Sequence, residues 1–248
     1  MKRIAIRTKK GGVGKTTTAA NVGHWLSMQK KRVCLVDIDP QYNLTTMLGI
    51  PQTQVKGTLL DVLDGKPIDE VIIEARPNLF LIPGNRDLAD PSSVLKGRLP
   101  ELTIRNRLQE IDSWDYMIFD CPPSSSLLID NVLCFVNAVW SPLQVEFLSL
   151  EGLDQVVDEV AELNEVFKPY GVNAKITAII PTMFDSRVRI SEEIQKAAKE
   201  KYTTLITSPI RRNVRISESP SFGQTIFEYD PDGKGAQDYE TLSKELSA

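Results

Sequence analysis

The chain is short of the residues that usually announce metal, redox or membrane chemistry. It has one histidine, three cysteines and 7% aromatic residues. The histidine, His24, falls inside the first expected helix and is assigned no catalytic role. Cys34, Cys121 and Cys134 are odd in number and form no CxxC pair, which excludes a closed disulfide framework. They read as reduced thiols of a cytosolic protein. No apolar run is long enough to span a bilayer. The net charge is −4, so the molecule as a whole is not a polycation, and affinity for DNA requires a local patch. Neither a recognition helix nor an aromatic-rich platform is evident, and there is no internal repeat. Met1, Lys2 and Arg3 lead directly into a short strand and a glycine loop, so no signal peptide is expected.

What is present is an ordinary globular composition, 42% hydrophobic and 25% charged over 248 residues, which fits one domain spanning 1–248. Short apolar runs at 4–6, 33–36, 79–82, 116–119, 138–140 and 176–180 read as buried strands, the last stopped by Pro181. Helical patterns run between them, most clearly at 150–167, where Leu153, Val156, Val157, Val160 and Leu163 share one face. Residues 228–235 read as a turn-rich loop before a short last helix at 239–246. Strands alternating with helices predict an α/β fold, a doubly wound, mostly parallel sheet with helices on both faces. Ligands of such sheets bind at the carboxyl ends of the strands.

Three motifs fall at those ends. Residues 9–17 follow the first strand and open the first helix. Gly14, Lys15 and Thr16 match the end of the pattern G-x-x-x-x-G-K-[ST], but Lys9 stands where the first glycine belongs. Backbone N–H groups of Gly11, Gly12, Val13, Gly14 and Lys15 suit the cradling of phosphates. The Lys15 ammonium suits the β and γ phosphates, and the Thr16 hydroxyl suits Mg²⁺. Thr17 is placed for the α-phosphate, or simply as a cap. Asp37 and Asp39 end the second strand, although Asp39-Pro40 alone also reads as a turn. Asp120 ends the fourth, where a carboxylate would hold Mg²⁺ through water. The metal set read from the sequence is Thr16, Asp39 and Asp120, with ATP as substrate and P-loop phosphoryl chemistry as the expected activity.

With Lys10 before the glycine pair, the loop resembles the deviant Walker A loop of the ParA/MinD ATPase superfamily. The resemblance continues through 37–41, 120–124, 144–146, 150–152, 182–187 and 212–223, the last being characteristic of ParA-type (Soj-like) partition ATPases. It implies an ATP-dependent homodimer in which Lys10 reaches the partner's nucleotide. It implies that Asp39 orients or activates the attacking water, so that Lys10, Lys15 and Asp39 form the catalytic set. Thr182, Pro209, Arg211 and Asn213 would surround the adenine. It further implies a ParB-like adaptor, a nucleoid-associated cytoplasmic location, and a cargo such as a plasmid, chromosome or protein organelle. Three departures stand out: Arg7, Thr8 and Lys9 before the loop, Pro181 before Thr182, and Ser124, Ser125 and Ser126 after Asp120. The DNA-reading N-terminal extension of some plasmid members is not in this sequence, so operator-specific binding is not expected.

Between positions 187 and 215 there are eight Lys/Arg and three Asp/Glu, a local balance of +5. Arg187, Arg189, Arg211, Arg212 and Arg215 are therefore the expected contacts to duplex DNA, through phosphates and without sequence preference. A solvated face with internal ion pairs is the other reading of the same count. Three rival functions remain, one of them a scaffold that binds ATP without hydrolysing it, against which Asp39 argues. A MinD-like membrane ATPase would need a basic amphipathic C-terminal helix, and residues 241–248 are short and polar. A metabolic P-loop ATPase without DNA binding is the third.

Overall fold

A computed structural model describes residues 1–145, 149–202 and 205–248. The side chains of residues 149, 189–192, 194 and 195 lie outside that description. The strands are β1 (Lys2–Ile6), β2 (Val33–Asp37), β3 (Ile73–Arg76), β4 (Leu79–Ile82), β5 (Tyr116–Asp120), β6 (Ala138–Gln144) and β7 (Lys175–Thr182). They form one sheet in the order β3-β4-β2-β5-β1-β6-β7. Every pairing is parallel except β3 with β4.

The helices are α1 (Lys15–Met28), α2 (Asn43–Met47), α3 (Leu59–Leu63), α4 (Thr103–Leu108), α5 (Leu127–Phe135) and α6 (Ser149–Val166). They continue with α7 (Arg189–Tyr202), α8 (Val214–Glu218), α9 (Ile226–Tyr229) and α10 (Lys234–Ser247). Side chains of α3, α4, α5 and α6 pack on one face of the sheet. Those of α1, α2, α9 and α10 pack on the other. The central strands β2 and β5 are buried along their whole length, which is why they read as unbroken apolar runs.

Three features differ from the sequence reading. Strand β3, Ile-Glu-Ala-Arg, is a half-exposed edge strand whose mixed residues carry no apolar run. Strand β7 continues through Pro181 to Thr182, because its outer side carries only isolated bridges and little ladder hydrogen bonding is lost there. Helix α10 starts at Lys234 rather than near 239, and the supposed loop at 228–235 holds the end of α9 and the start of α10.

Register aligns the site. Ile6, the last residue of β1, lies beside Asp120, and Asp120 lies beside Asp37 on its other side. The loop and both carboxylates thus leave neighbouring strands at one level.

Candidate active site

The glycine loop turns from β1 into α1 through two left-handed positions, Gly12 (φ 72°) and Gly14 (φ 89°). A side chain at either would be strained, and a Cβ at Gly12 would point into open space. Gly14 is the N-cap of α1, so the first turn presents its N–H groups to the loop's concavity. The Lys15 ammonium is buried and donates to the Lys10 carbonyl oxygen at 3.1 Å. Burial lowers its pKa, and the charge of Asp120 opposes that. The Lys10 side chain is exposed. Thr182 at the end of β7 donates its hydroxyl to the Val13 carbonyl at 2.9 Å, fixing the loop to the far side of the sheet.

Two cavities open on this loop. One, of about 700 Å³, is lined by Gly11, Gly12, Gly14, Lys15, Thr16 and Thr17 of the loop and by Asp39, Pro122 and Pro123 among others. The other, of about 320 Å³, is lined by Thr182, Met183, Ile210, Arg211, Asn213 and Tyr239 among others. They share Gly14, Thr17, Met183 and Pro220 and form one cleft. Of the expected adenine neighbours, Thr182, Arg211 and Asn213 line the second cavity. Pro209 does not, and its place is taken by Ile210. Met183, in the left-handed region at φ 54°, lies at the junction and was not signalled by the sequence.

The three aspartates differ in environment. Asp37 is fully buried and committed to structure. It accepts from the Thr45 amide (2.8 Å) and hydroxyl (2.7 Å), tying the end of β2 to α2. Burial pushes it up to about 6, against those hydrogen bonds. Asp39 is half-buried on the cleft wall, and its Oδ1 accepts from the Gln41 amide at 2.8 Å. Asp120 is 1% exposed, and neither of its oxygens has a hydrogen-bond partner. Burial, then the Asp37 charge, pushes it up to about 8, with Thr16 and Lys15 acting the other way. A buried, unsatisfied carboxylate beside a hydroxyl and a lysine fits a bound cation that would complete it. All three thiols are free and buried, and burial raises each.

The basic stretch is less bare than its count suggested. Arg187 pairs with Asp185 (2.7 Å), Arg211 with Asp238 (2.5 Å) and Arg215 with Glu218 (3.3 Å). Those carboxylates lie outside the window 187–215, so a local count could not register them. Arg212 is exposed. Arg189 begins α7, and its side chain lies outside the described residues, as does Glu146.

A second cluster was missed. Arg7 is fully buried and Lys9 half-buried, and both bond Glu159 of α6. The departure of 7–9 from the family pattern was its only sequence signal.

The family described as an AAA domain matches residues 1–178. Sporulation initiation inhibitor protein Soj of Bacillus subtilis is 40% identical, with 100% of this chain and 98% of that protein covered. Chromosome partitioning protein ParA of Caulobacter vibrioides is 37% identical, covering 98% and 92%. Among solved structures, cobyrinic acid a,c-diamide synthase of Mycobacterium smegmatis with ADP and magnesium superposes with a TM-score of 0.82 at 29% identity, covering 100% and 94%. An ATP complex of a Cyanothece McdA variant gives 0.85 at 25%, covering 100% and 96%. The chain belongs to the ParA/Soj family of partition ATPases within the ParA/MinD P-loop fold.

Proposed function

We propose that this chain binds and slowly hydrolyses Mg-ATP, dimerises around the nucleotide, and uses that cycle to hold and release duplex DNA while positioning a cargo. The observation that carries the reading is Asp120, a buried carboxylate without hydrogen-bond partners at the end of β5, in register with the end of the strand that leads into the glycine loop. Thr16 and Asp120 would hold the magnesium ion. When bound, it neutralises phosphate charge. Loop amides and Lys15 take the phosphates, and the cavity lined by Ile210 and Asn213 takes the base. Asp39, on the opposite wall, orients the attacking water. Lys10, exposed on the loop, reaches a second copy's nucleotide.

The DNA surface includes Arg212 and the arginines around it, with Arg189 part of the same proposal. Exposed ion pairs such as Arg215–Glu218 contribute little and exchange readily for phosphate contacts. A ParB-like adaptor would stimulate hydrolysis. Full-length partition relatives support this over a metabolic ATPase, although the M. smegmatis synthase keeps the second reading open to test. Among the described residues no helix is long and apolar enough to cross a membrane, and the apolar side chains Ala236, Tyr239 and Leu242 of α10 are already buried.

The test combines nucleotide binding, light scattering and a salt titration on duplexes of unrelated sequence. Asp39→Ala should bind ATP without turnover, and Lys15→Ala should not bind. Wild-type protein should dimerise with a non-hydrolysable ATP analogue. It should then bind DNA with log affinity falling by about 0.9 per phosphate contact per log unit of salt. Equal DNA affinity with ATP and ADP would remove the switch, and a saturated monomer would remove the dimer.

A further inference from the structure

Residues 7–9, ahead of Lys10 and the glycine pair, place two cations, Arg7 and Lys9, where the family pattern is neutral. A buried guanidinium needs a full set of acceptors, or its desolvation is not offset. Arg7 has them. Its Nε donates to Glu159 Oε2 at 3.1 Å and its Nη2 to Oε1 at 3.1 Å, a bidentate fork. Its Nη1 donates to the Pro122 and Pro123 carbonyls at 2.8 and 3.2 Å. Lys9 Nζ donates to the same Glu159 at 2.5 Å and to Ser125 Oγ at 2.7 Å. Ser125 in turn donates to Glu159 at 3.2 Å.

These bonds lead back to the cleft by two routes. Pro122 and Pro123 line the cavity at the glycine loop, and Arg7 grips their carbonyls. Lys9 is the first residue of the loop itself, and its neighbour Lys10 supplies the carbonyl that holds Lys15. Both routes start at one carboxylate on α6, 152 residues from Arg7. Without it, Arg7 keeps only neutral acceptors, and Lys9 keeps one serine hydroxyl beside a cleft built for anions.

We propose that Glu159 is a positioning residue of the phosphate cleft: it seats Lys9, and through Arg7 it fixes the wall formed by Pro122 and Pro123. The inference rests on the nucleotide reading above. It names a residue that touches no ligand and acts through two that bound the site. Small misplacements of such groups cost on the order of tenfold to a hundredfold.

The test is binding of a non-hydrolysable ATP analogue with Mg²⁺ to the full chain, at a temperature where every variant is folded, with kcat and KM for ATP measured in parallel. Glu159→Gln should weaken analogue binding by about tenfold or more, and Glu159→Asp should recover most of it. Lys9→Gln, which keeps the Arg7 fork, should fall between. Asp154→Asn is the control: it lies on the same helix and loses the ion pair to Lys201 and the carboxylate that accepts from the Tyr202 hydroxyl, both away from the cleft, but it should bind as wild type does. Should Glu159→Gln not fold, Lys9→Gln and Glu159→Asp carry the result, and affinity equal to wild type in both would overturn the proposal. So would a Glu159→Gln loss matched by Asp154→Asn, which marks a general effect of loosening α6. Wild-type protein that binds no analogue would overturn the nucleotide reading first, and this inference with it.

Discussion

Replacing Asp120 by asparagine should make the nucleotide-free protein more stable while removing its response to magnesium. The carboxyl is buried, lacks hydrogen-bond partners and is pushed up to about 8 by burial and by Asp37. The unfolded chain releases this proton near pH 3.8, whereas the folded chain keeps it until about pH 8. A carboxyl raised in this way makes stability fall as pH rises through that window. At about 1.4 kcal/mol per pH unit, the folded state at pH 7 carries a penalty on the order of 4 kcal/mol relative to a group that never ionises. The asparagine amide is itself buried without partners, which costs roughly 1–3 kcal/mol. The net gain at pH 7 is therefore about 1–3 kcal/mol. At roughly 2–4 °C per kcal/mol for a chain of this size, that is a rise of about 2–12 °C in Tm. At pH 5 the gain should vanish, and at pH 8 it should be largest. Thermal unfolding at pH 5, 7 and 8, with and without Mg²⁺ and an ATP analogue, measures all of it. Wild-type protein should gain about 2.7 kcal/mol with ligand at a hundred times its Kd, and D120N should gain nothing further from magnesium. D120N less stable than wild type at pH 8 without ligand, or a difference that is the same at pH 5 and 8, would refute the reasoning.

Two further outcomes follow from packing and burial. Gly223 has φ 64°, and a Cβ there would lie 2.7 Å from Gly49 Cα, which is backbone and cannot swing away. Gly223→Ala should cost about 2–4 kcal/mol, read as a shifted urea midpoint at unchanged m-value, and a midpoint equal to wild type would show that the approach relaxes freely. His24 is buried with Nδ1 2.6 Å from the Thr225 hydroxyl, and burial lowers its pKa. Its one ring resonance in NMR should titrate below the ordinary 6.5. Protein stability should decline as pH falls from about 6.5, where the unfolded chain takes a proton that the folded chain refuses. His24→Gln should remove that part of the decline, and a midpoint at or above 6.5 would contradict the burial argument.

The sequence by itself determined the chemistry of the loop and the level at which it operates. A phosphate loop is a matter of local backbone. Gly12 and Gly14 supply the left-handed turns, Lys15 and Thr16 follow at fixed spacing, and a buried strand precedes them. The aspartates at 37, 39 and 120 were legible because parallel strands carry unbroken apolar runs that end at the ligand side. Nothing local could assign their separate tasks. Asp37 is occupied because Thr45 folds back onto it, and Asp120 is unsatisfied because register places it between Ile6 and Asp37. The edge strand β3 escaped notice because one half-exposed strand leaves no periodic signal. The arginine-rich stretch read as bare charge because Asp185, Glu218 and Asp238 lie outside it in sequence and beside it in space. Arg7 and Lys9 read as anomalies until α6 delivered Glu159. Ion pairing and desolvation depend on distance through space, which the chain acquires only when it folds, whereas the turns that hold a phosphate are written in consecutive residues.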